Sequence, residues 1–261
     1  MTSVLATAFE RPTTKDFVWP AWGPQVEIFG IRFYFNFIML LLVIAFVAFI
    51  AFFYVGLRKP KVIPGKFQMV VESGIEFVRE QVLLQMIGPE GMNFLPLLAT
   101  LFFFIFFGNI LEVTPFVAFP LNSRIAFPLV MALIVWVVYN GVGIRKHGFF
   151  GYLKMVMFPP GAPALMYLLL APIEFFTNVI VRPITLTVRL FANMVAGHFL
   201  LAVMFLGTLA LITGTPYVLG VVSFAFGVLL VGFEIFVAAL QAFIFAILTA
   251  SYIGGAMAEE H

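Results

Sequence analysis

Cysteine is absent from the 261-residue chain, so disulfides and thiolate metal sites are excluded. The three histidines, His147, His198 and His261, are scattered with no pair at helical ligand spacing. No metal centre and no cofactor site are therefore expected. Charge is scarce: 10% of residues are Asp, Glu, Lys or Arg, against about 25% in an ordinary soluble domain. The net charge of +2 is too small to argue for nucleic acid. The first 30 residues hold Glu10, Arg11, Lys15, Asp16 and Glu27 among prolines and lack an apolar core. A cleaved signal peptide is not expected there. No internal repeat is visible, which argues against transporters built from two related halves.

What the chain has is apolar length. Hydrophobic residues make up 63% of it, which marks a polytopic membrane protein folding as a single membrane domain over 1–261. Residues 1–30 read as an external polar arm. About Phe33 to Leu57 reads as a first span, and Arg58, Lys59, Lys61 and Lys66 follow it. By the positive-inside rule that end is cytoplasmic. Over residues 65–88, Phe67, Val70, Val71, Ile75, Val78, Val82 and Met86 recur at helical spacing opposite Glu72, Glu76, Arg79 and Glu80. This is the pattern of an amphipathic interfacial helix. Phe94 to about Phe119 reads as a second span and Ile125 to Val142 as a third, ending at Arg145, Lys146 and His147. Counted over these loops, eight Lys and Arg residues fall inside and four outside. Pro159, Pro160 and Pro163 make 148–163 a breaker.

The remainder, 164–258, does not divide into spans of ordinary length. Ala164 to about Ile212 would run about 70 Å if wholly helical, against a hydrocarbon thickness of about 30 Å. It either breaks, at Pro172 or Pro183, or lies strongly tilted. After a turn at Gly214-Thr215-Pro216, Tyr217 to about Met257 repeats the problem. The expected fold is therefore all-α: three upright spans, one interfacial helix, and a long tilted two-helix hairpin.

Inside that hairpin stand groups that lipid does not tolerate cheaply. Arg182 can snorkel from near a helix end. Arg189, with apolar residues on both sides, cannot do so easily and is expected to meet water or a carboxylate. On a straight helix Asn178, Thr185, Asn193, Ala196 and Gly197 share the Arg189 face, and His198 looks the opposite way. Glu234 and Gln241, seven apart, share a face of the last helix, and Asn109 and Glu112, three apart, share one on the second span. Glu174 lies nearer the cytoplasmic breaker. A guanidinium keeps its proton, so Arg189 cannot carry one. It can hold a partner's carboxylate ionised and block the direct passage of a cation. Glu112, Asn109, His198 and Glu234 would then line an outer aqueous path, and Glu174, Asn178 and Thr185 an inner one. The chain supplies no partner carboxylate for Arg189, so another subunit is implied.

The stretch Arg182-Pro to Val188-Arg189-Leu-Phe-Ala-Asn193-Met to Ala196-Gly197-His198 resembles the core of the a subunits of F-type ATP synthases. So do Leu240-Gln241-Ala-Phe-Ile-Phe-Ala-Ile-Leu-Thr and Asn109-Ile-Leu-Glu112. The resemblance covers about residues 33–261. It implies a non-catalytic stator subunit against which a ring of c subunits turns, with Arg189 facing the ring carboxylate between two offset half-channels. Asn193 would belong to the same face, Gln241 would sit opposite, and His198 with Glu234 would form a His/Glu pair. The resemblance also implies b subunits on the amphipathic segment and first span. One departure is Ser123-Arg124, where some members carry an acid. The choice of H⁺ over Na⁺ would lie with the ring. A bacterial plasma membrane is expected rather than a mitochondrial inner membrane. Two other classes compete: a self-contained channel or secondary transporter, which would conduct alone, and an intramembrane enzyme, for which no nucleophile or acid cluster is found.

Overall fold

A computed structural model of the chain describes residues 22–28, 31–114, 121–158, 166–213 and 217–258. Most of the expected polar arm lies outside these residues. So do the three prolines of the breaker, the Gly214-Thr215-Pro216 stretch, residues 115–120 between the second and third spans, and Glu259, Glu260 and His261.

The chain departs from all-α at its start. Strand β1 (Trp22–Ile28) pairs antiparallel with β2 (Ile31–Phe35), Ile28 opposite Ile31 and Glu27 opposite Arg32. The arm expected over 1–30 therefore includes a strand, and the first span starts later than Phe33. The alternation Ile31-Arg-Phe-Tyr-Phe suits a strand. Helix α1 (Phe37–Leu57) follows, capped by Asn36, whose Oδ1 accepts from the Met39 amide at 3.0 Å. It is apolar on every side and buries little of itself, as a lipid-facing helix does.

Helix α2 (Lys66–Val78) runs through a π turn (Arg79–Leu83) into the short α3 (Leu84–Met86). Val71, Val78, Val82 and Leu83 are buried while Glu80, Gln81 and Gln85 are exposed; of the apolar face read over 65–88, Phe67, Val70 and Met86 are exposed as well. Gly88 adopts φ 89°, a left-handed value that glycine accepts most easily, and turns the chain into a 3₁₀ segment (Pro89–Phe94) and α4 (Leu95–Ile110). The second span thus ends at Ile110 and not near Phe119, leaving Glu112 in the turn beyond it.

Helix α5 (Ala126–Met157) is longer than the expected third span, and Arg145, Lys146 and His147 lie on it rather than after it. It is interrupted at Gly148, with φ 72° and ψ 164°. On a straight helix residues 140 and 152 would stand about 18 Å apart. Here the Tyr152 ring folds back over Gly143, and its hydroxyl is 3.1 Å from Asn140 Oδ1.

Helix α6 (Tyr167–Phe176), a π turn (Thr177–Val181) and α7 (Arg182–Thr213) form one apolar helical run. Neither proline breaks it. Pro183 has no amide hydrogen to give back four residues, and the wide turn just before it accommodates the loss. Helix α8 (Tyr217–Met257) returns antiparallel. Thr208 Oγ1 is 2.9 Å from Ser223 Oγ, Gly227 meets Phe205, and Gly220 meets Ile212. Each step up one helix is a step down the other, so the hairpin keeps one register.

Five helical stretches are long and apolar enough to cross a bilayer. The core forms where α4, α5, α7 and α8 meet, around Ile105, Val135, Leu190, Phe245 and Ile253. A second cluster joins the α2 region to α4 and α8 through Val78, Leu98, Phe103, Ala246 and Ala250. In lipid, association rests on close packing rather than on escape from water. The buried alanines Ala238, Ala242, Ala246 and Ala250 line one side of α8 and allow that approach.

Candidate functional site

Arg189 lies mid-way along an apolar run, yet its side chain is exposed and has no hydrogen bond or ion pair among the described residues. Thr185, Ala192, Asn193, Ala196 and Leu200 are exposed on the same side of α7. This side of the helix is therefore polar, small-residued and uncovered by the other described residues.

Neither Gly197, which is buried, nor Asn178 shares it, contrary to the straight-helix expectation. The π turn at 177–181 holds one residue more than an α turn, which swings the phase by about 100°. Asn178 is buried and becomes the centre of a network. Its Oδ1 accepts from Arg182 Nη1 at 2.6 Å, and its Nδ2 faces Asn140 Oδ1 at 3.3 Å and the Tyr152 hydroxyl at 3.4 Å. Its backbone carbonyl accepts from the Tyr139 hydroxyl at 2.6 Å. The Arg182 guanidinium lies 4.9 Å from the centre of the Tyr252 ring and 5.8 Å from that of Tyr139. The half-buried Arg182 guanidinium is thus held between two rings. Thr185 instead bonds the Arg182 carbonyl from the exposed side, and Glu174 stands half-buried on α6.

A second polar group gathers at the opposite end of α4. Asn122, in a 3₁₀ turn (Leu121–Ser123), donates to Asn109 Oδ1 at 2.7 Å, with both side chains buried. Glu112 lies one turn beyond Asn109 and is close enough to Glu234 of α8 for their charges to interact. Glu234 is buried against the backbone of Gly197, the residue before His198. Four buried polar atoms here lack a hydrogen-bond partner among the described residues: Asn109 Nδ2, Asn122 Oδ1, Glu112 Oε1 and Glu234 Oε2. Buried polar atoms without a protein partner are where ordered water is found. Gln241 shares the buried side of α8 with Glu234. The hairpin register carries it to the level of Arg189 and Leu190, and Leu190 and Ala242 lie in one core cluster.

The chain as a whole has relatives among known proteins. The model of the ATP synthase A chain family matches residues 37–254. The chain belongs to the ATP synthase A chain family. The ATP synthase subunit a of Frankia alni is 43% identical over 255 residues, which is 97% of this chain and 88% of that one. That of Rhodococcus erythropolis is 39% identical over 266 residues, covering 100% and 95%. That of Gluconacetobacter diazotrophicus is 40% identical over 223 residues, covering 84% and 86%. As an ATP synthase subunit a, the chain is a non-catalytic, multi-pass membrane subunit serving proton transport. The resemblance seen in the Arg182–His198 and Leu240–Thr249 stretches is borne out.

Within this subunit a, Arg189 and Asn193 are together on the exposed side, and Asn109, Glu112 and Glu234 gather in one buried group. Sequence reasoning passed over Tyr139, Asn140, Tyr152 and Tyr252, which surround Asn178 and Arg182, and Asn122, which completes the outer amide pair. The signal available was Tyr139-Asn140 and Tyr252 near the ends of apolar helices, where tyrosine is ordinarily read as a membrane-interface anchor.

Proposed function

We propose that this subunit conducts protons past a rotating c-ring, with Arg189 as the fixed charge that separates two offset half-channels. The observation that carries the reading is the exposed Arg189 guanidinium in mid-helix, without a hydrogen bond or ion pair among the described residues. A permanent cation at that depth is expensive unless an anion or water meets it. A ring carboxylate arriving at the exposed face would be held ionised by it, and protons could not pass directly from one side to the other. Asn193 on the same face, and Gln241 at the same level on α8, would flank the meeting point.

The outer half-channel would run through Asn109, Glu112, Glu234 and His198, where unpartnered buried atoms favour water. The inner one would involve Glu174, Thr185 and Asn178. Asn178 would act there through its hold on Arg182, because its own amide is fully engaged. The hairpin is far longer than a bilayer is thick, which supports a tilted course along the ring. The b subunits would lie on α2, where Met69 and Val70 are exposed, and on the small-residue side of α1 formed by Ile44, Ala48, Ala51 and Val55. Lipid would cover the rest, in a bacterial plasma membrane. A membrane potential of 100 mV then supplies about 2.3 kcal/mol per proton.

The absence of cysteine makes the test clean. A single Ala192→Cys or Ala196→Cys variant of the intact complex should cross-link to the small ring subunit. Cross-linking of both positions to b alone, or to no subunit, would overturn the reading.

A further inference from the structure

Away from the ion path, a groove of about 650 Å³ opens between α1 and α4. Phe49, Ile50 and Phe53 form one wall, Leu95, Pro96 and Ala99 the other, and Ile75 of α2 also lines it. Arg58 stands in the lining, with its guanidinium carbon 5.3 Å from the centre of the Tyr54 ring. Arg58 also belongs to an adjoining basin of about 520 Å³ that carries Lys59, Lys61 and Lys66. The groove is apolar along its length and meets four cations at one end.

That cationic loop is fixed in place. Gln68 is buried and clamps the Lys61 backbone from both directions: the Lys61 amide donates to Gln68 Oε1 at 3.2 Å, and Gln68 Nε2 donates to the Lys61 carbonyl at 3.2 Å. The acidic groups nearby are already engaged. Glu72 accepts from Gln68 Nε2 at 2.7 Å, and Glu76 is paired with Arg79 at 2.9 Å. Close packing of Gly56 on Val71 brings the end of α1 down onto α2 and sets the position of the loop.

From this we infer that the groove binds an anionic glycerophospholipid, with an acyl chain between α1 and α4 and its phosphate against Arg58 and the neighbouring lysines. Charge complementarity selects the headgroup: four fixed cations at the level of the cytoplasmic interface attract anionic lipid. Volume selects a chain over a helix. A helix about 10 Å across would fill this groove within about 8 Å of its length, about one and a half turns. The α1 side assigned above to b points away from the groove, so both can be occupied together.

The test is photo-cross-linking in the intact ATP synthase. A photoreactive residue replaces Ile50 or Pro96, and the complex is placed in vesicles of equal parts phosphatidylglycerol and phosphatidylcholine. Mass analysis of the adducts should show a several-fold excess of phosphatidylglycerol. Arg58→Gln with Lys59→Gln and Lys61→Gln should bring the ratio back towards one, and added inorganic phosphate should leave the parent ratio unchanged. Equal capture of the two lipids by the parent would overturn the proposal. So would adducts to a peptide of another subunit at both positions.

Discussion

The Glu234 carboxyl lies directly on the backbone of Gly197: a methyl group built at Gly197 would stand 2.6 Å from Glu234 Oε2 and 2.8 Å from Oε1. The two residues sit on opposite arms of the hairpin, and glycine's missing side chain makes the room for the acid. Gly197→Ala should therefore push Glu234 out of its place. Alanine favours a helix over glycine by about 1 kcal/mol, so the variant should assemble normally. Its proton-driven ATP synthesis in vesicles should nevertheless fall markedly, as should that of Glu234→Gln. Parent rates in both variants would show that Glu234 is structural.

Arg189 carries a different burden. It is exposed and makes no hydrogen bond or ion pair among the described residues that its removal would break, so Arg189→Ala should leave assembly intact. Proton-driven ATP synthesis should drop to background. Passive proton conductance of the membrane sector should rise, because the fixed charge no longer separates the two sides. Normal coupled synthesis by the variant would defeat the stator role.

Arg182 should behave unlike Arg189 despite lying only two turns away. Its guanidinium is locked to Asn178 and between Tyr139 and Tyr252. Tyr139→Phe removes one hydrogen bond to the Asn178 carbonyl and should cost about 0.5–1.5 kcal/mol. Arg182→Ala leaves the buried Asn178 Oδ1 without its donor and should cost about 1–3 kcal/mol. Thermal inactivation of the complex should show both losses, Arg182→Ala the larger, with coupled synthesis at permissive temperature retained in part. If Arg182→Ala abolishes synthesis without lowering the inactivation temperature, Arg182 belongs to the ion path itself.

The contrast between the two arginines marks how far the sequence could be read. The five spans were legible because apolar length is a strong signal, and the antiparallel hairpin followed from counting residues against bilayer thickness. Which way each polar residue faces was legible only where the helix is regular. From Thr185 to Asn193 the α period holds, and both flank Arg189 on the exposed side. Across 177–181 it fails, because nothing in Thr177-Asn-Val-Ile-Val announces a π turn, and one added residue moved Asn178 inside. The Gly148 reversal was hidden in the same way: a single glycine reads as a breaker, not as a hinge that returns Tyr152 to Asn140. The β-hairpin was masked by the prolines and charges before it, although the alternation at 31–35 was present.

Glu112 offers a pH test of the outer group. It stands in the turn beyond the end of α4, outside the helical spans, and is buried. Burial pushes its carboxyl from the ordinary 4.5 up to about 8, and the nearby Glu234 charge adds to the effect. The folded chain therefore keeps a proton that the unfolded chain releases above its ordinary value. By linkage, stability falls as pH rises from about 4.5 to about 8 and levels off above that. For conduction the sign is equally definite. Below about 8 Glu112 is neutral and can donate; above it the group becomes a carboxylate facing Glu234. At constant driving force, proton-driven synthesis should then decline as the outer pH passes through about 8. Glu112→Gln cannot ionise, so it should run more slowly and lose that alkaline decline. A carboxyl infrared band that disappears over the same pH range in the parent, and is missing in Glu112→Gln, would assign the titration to this residue. An unchanged decline in the variant would move it to another group.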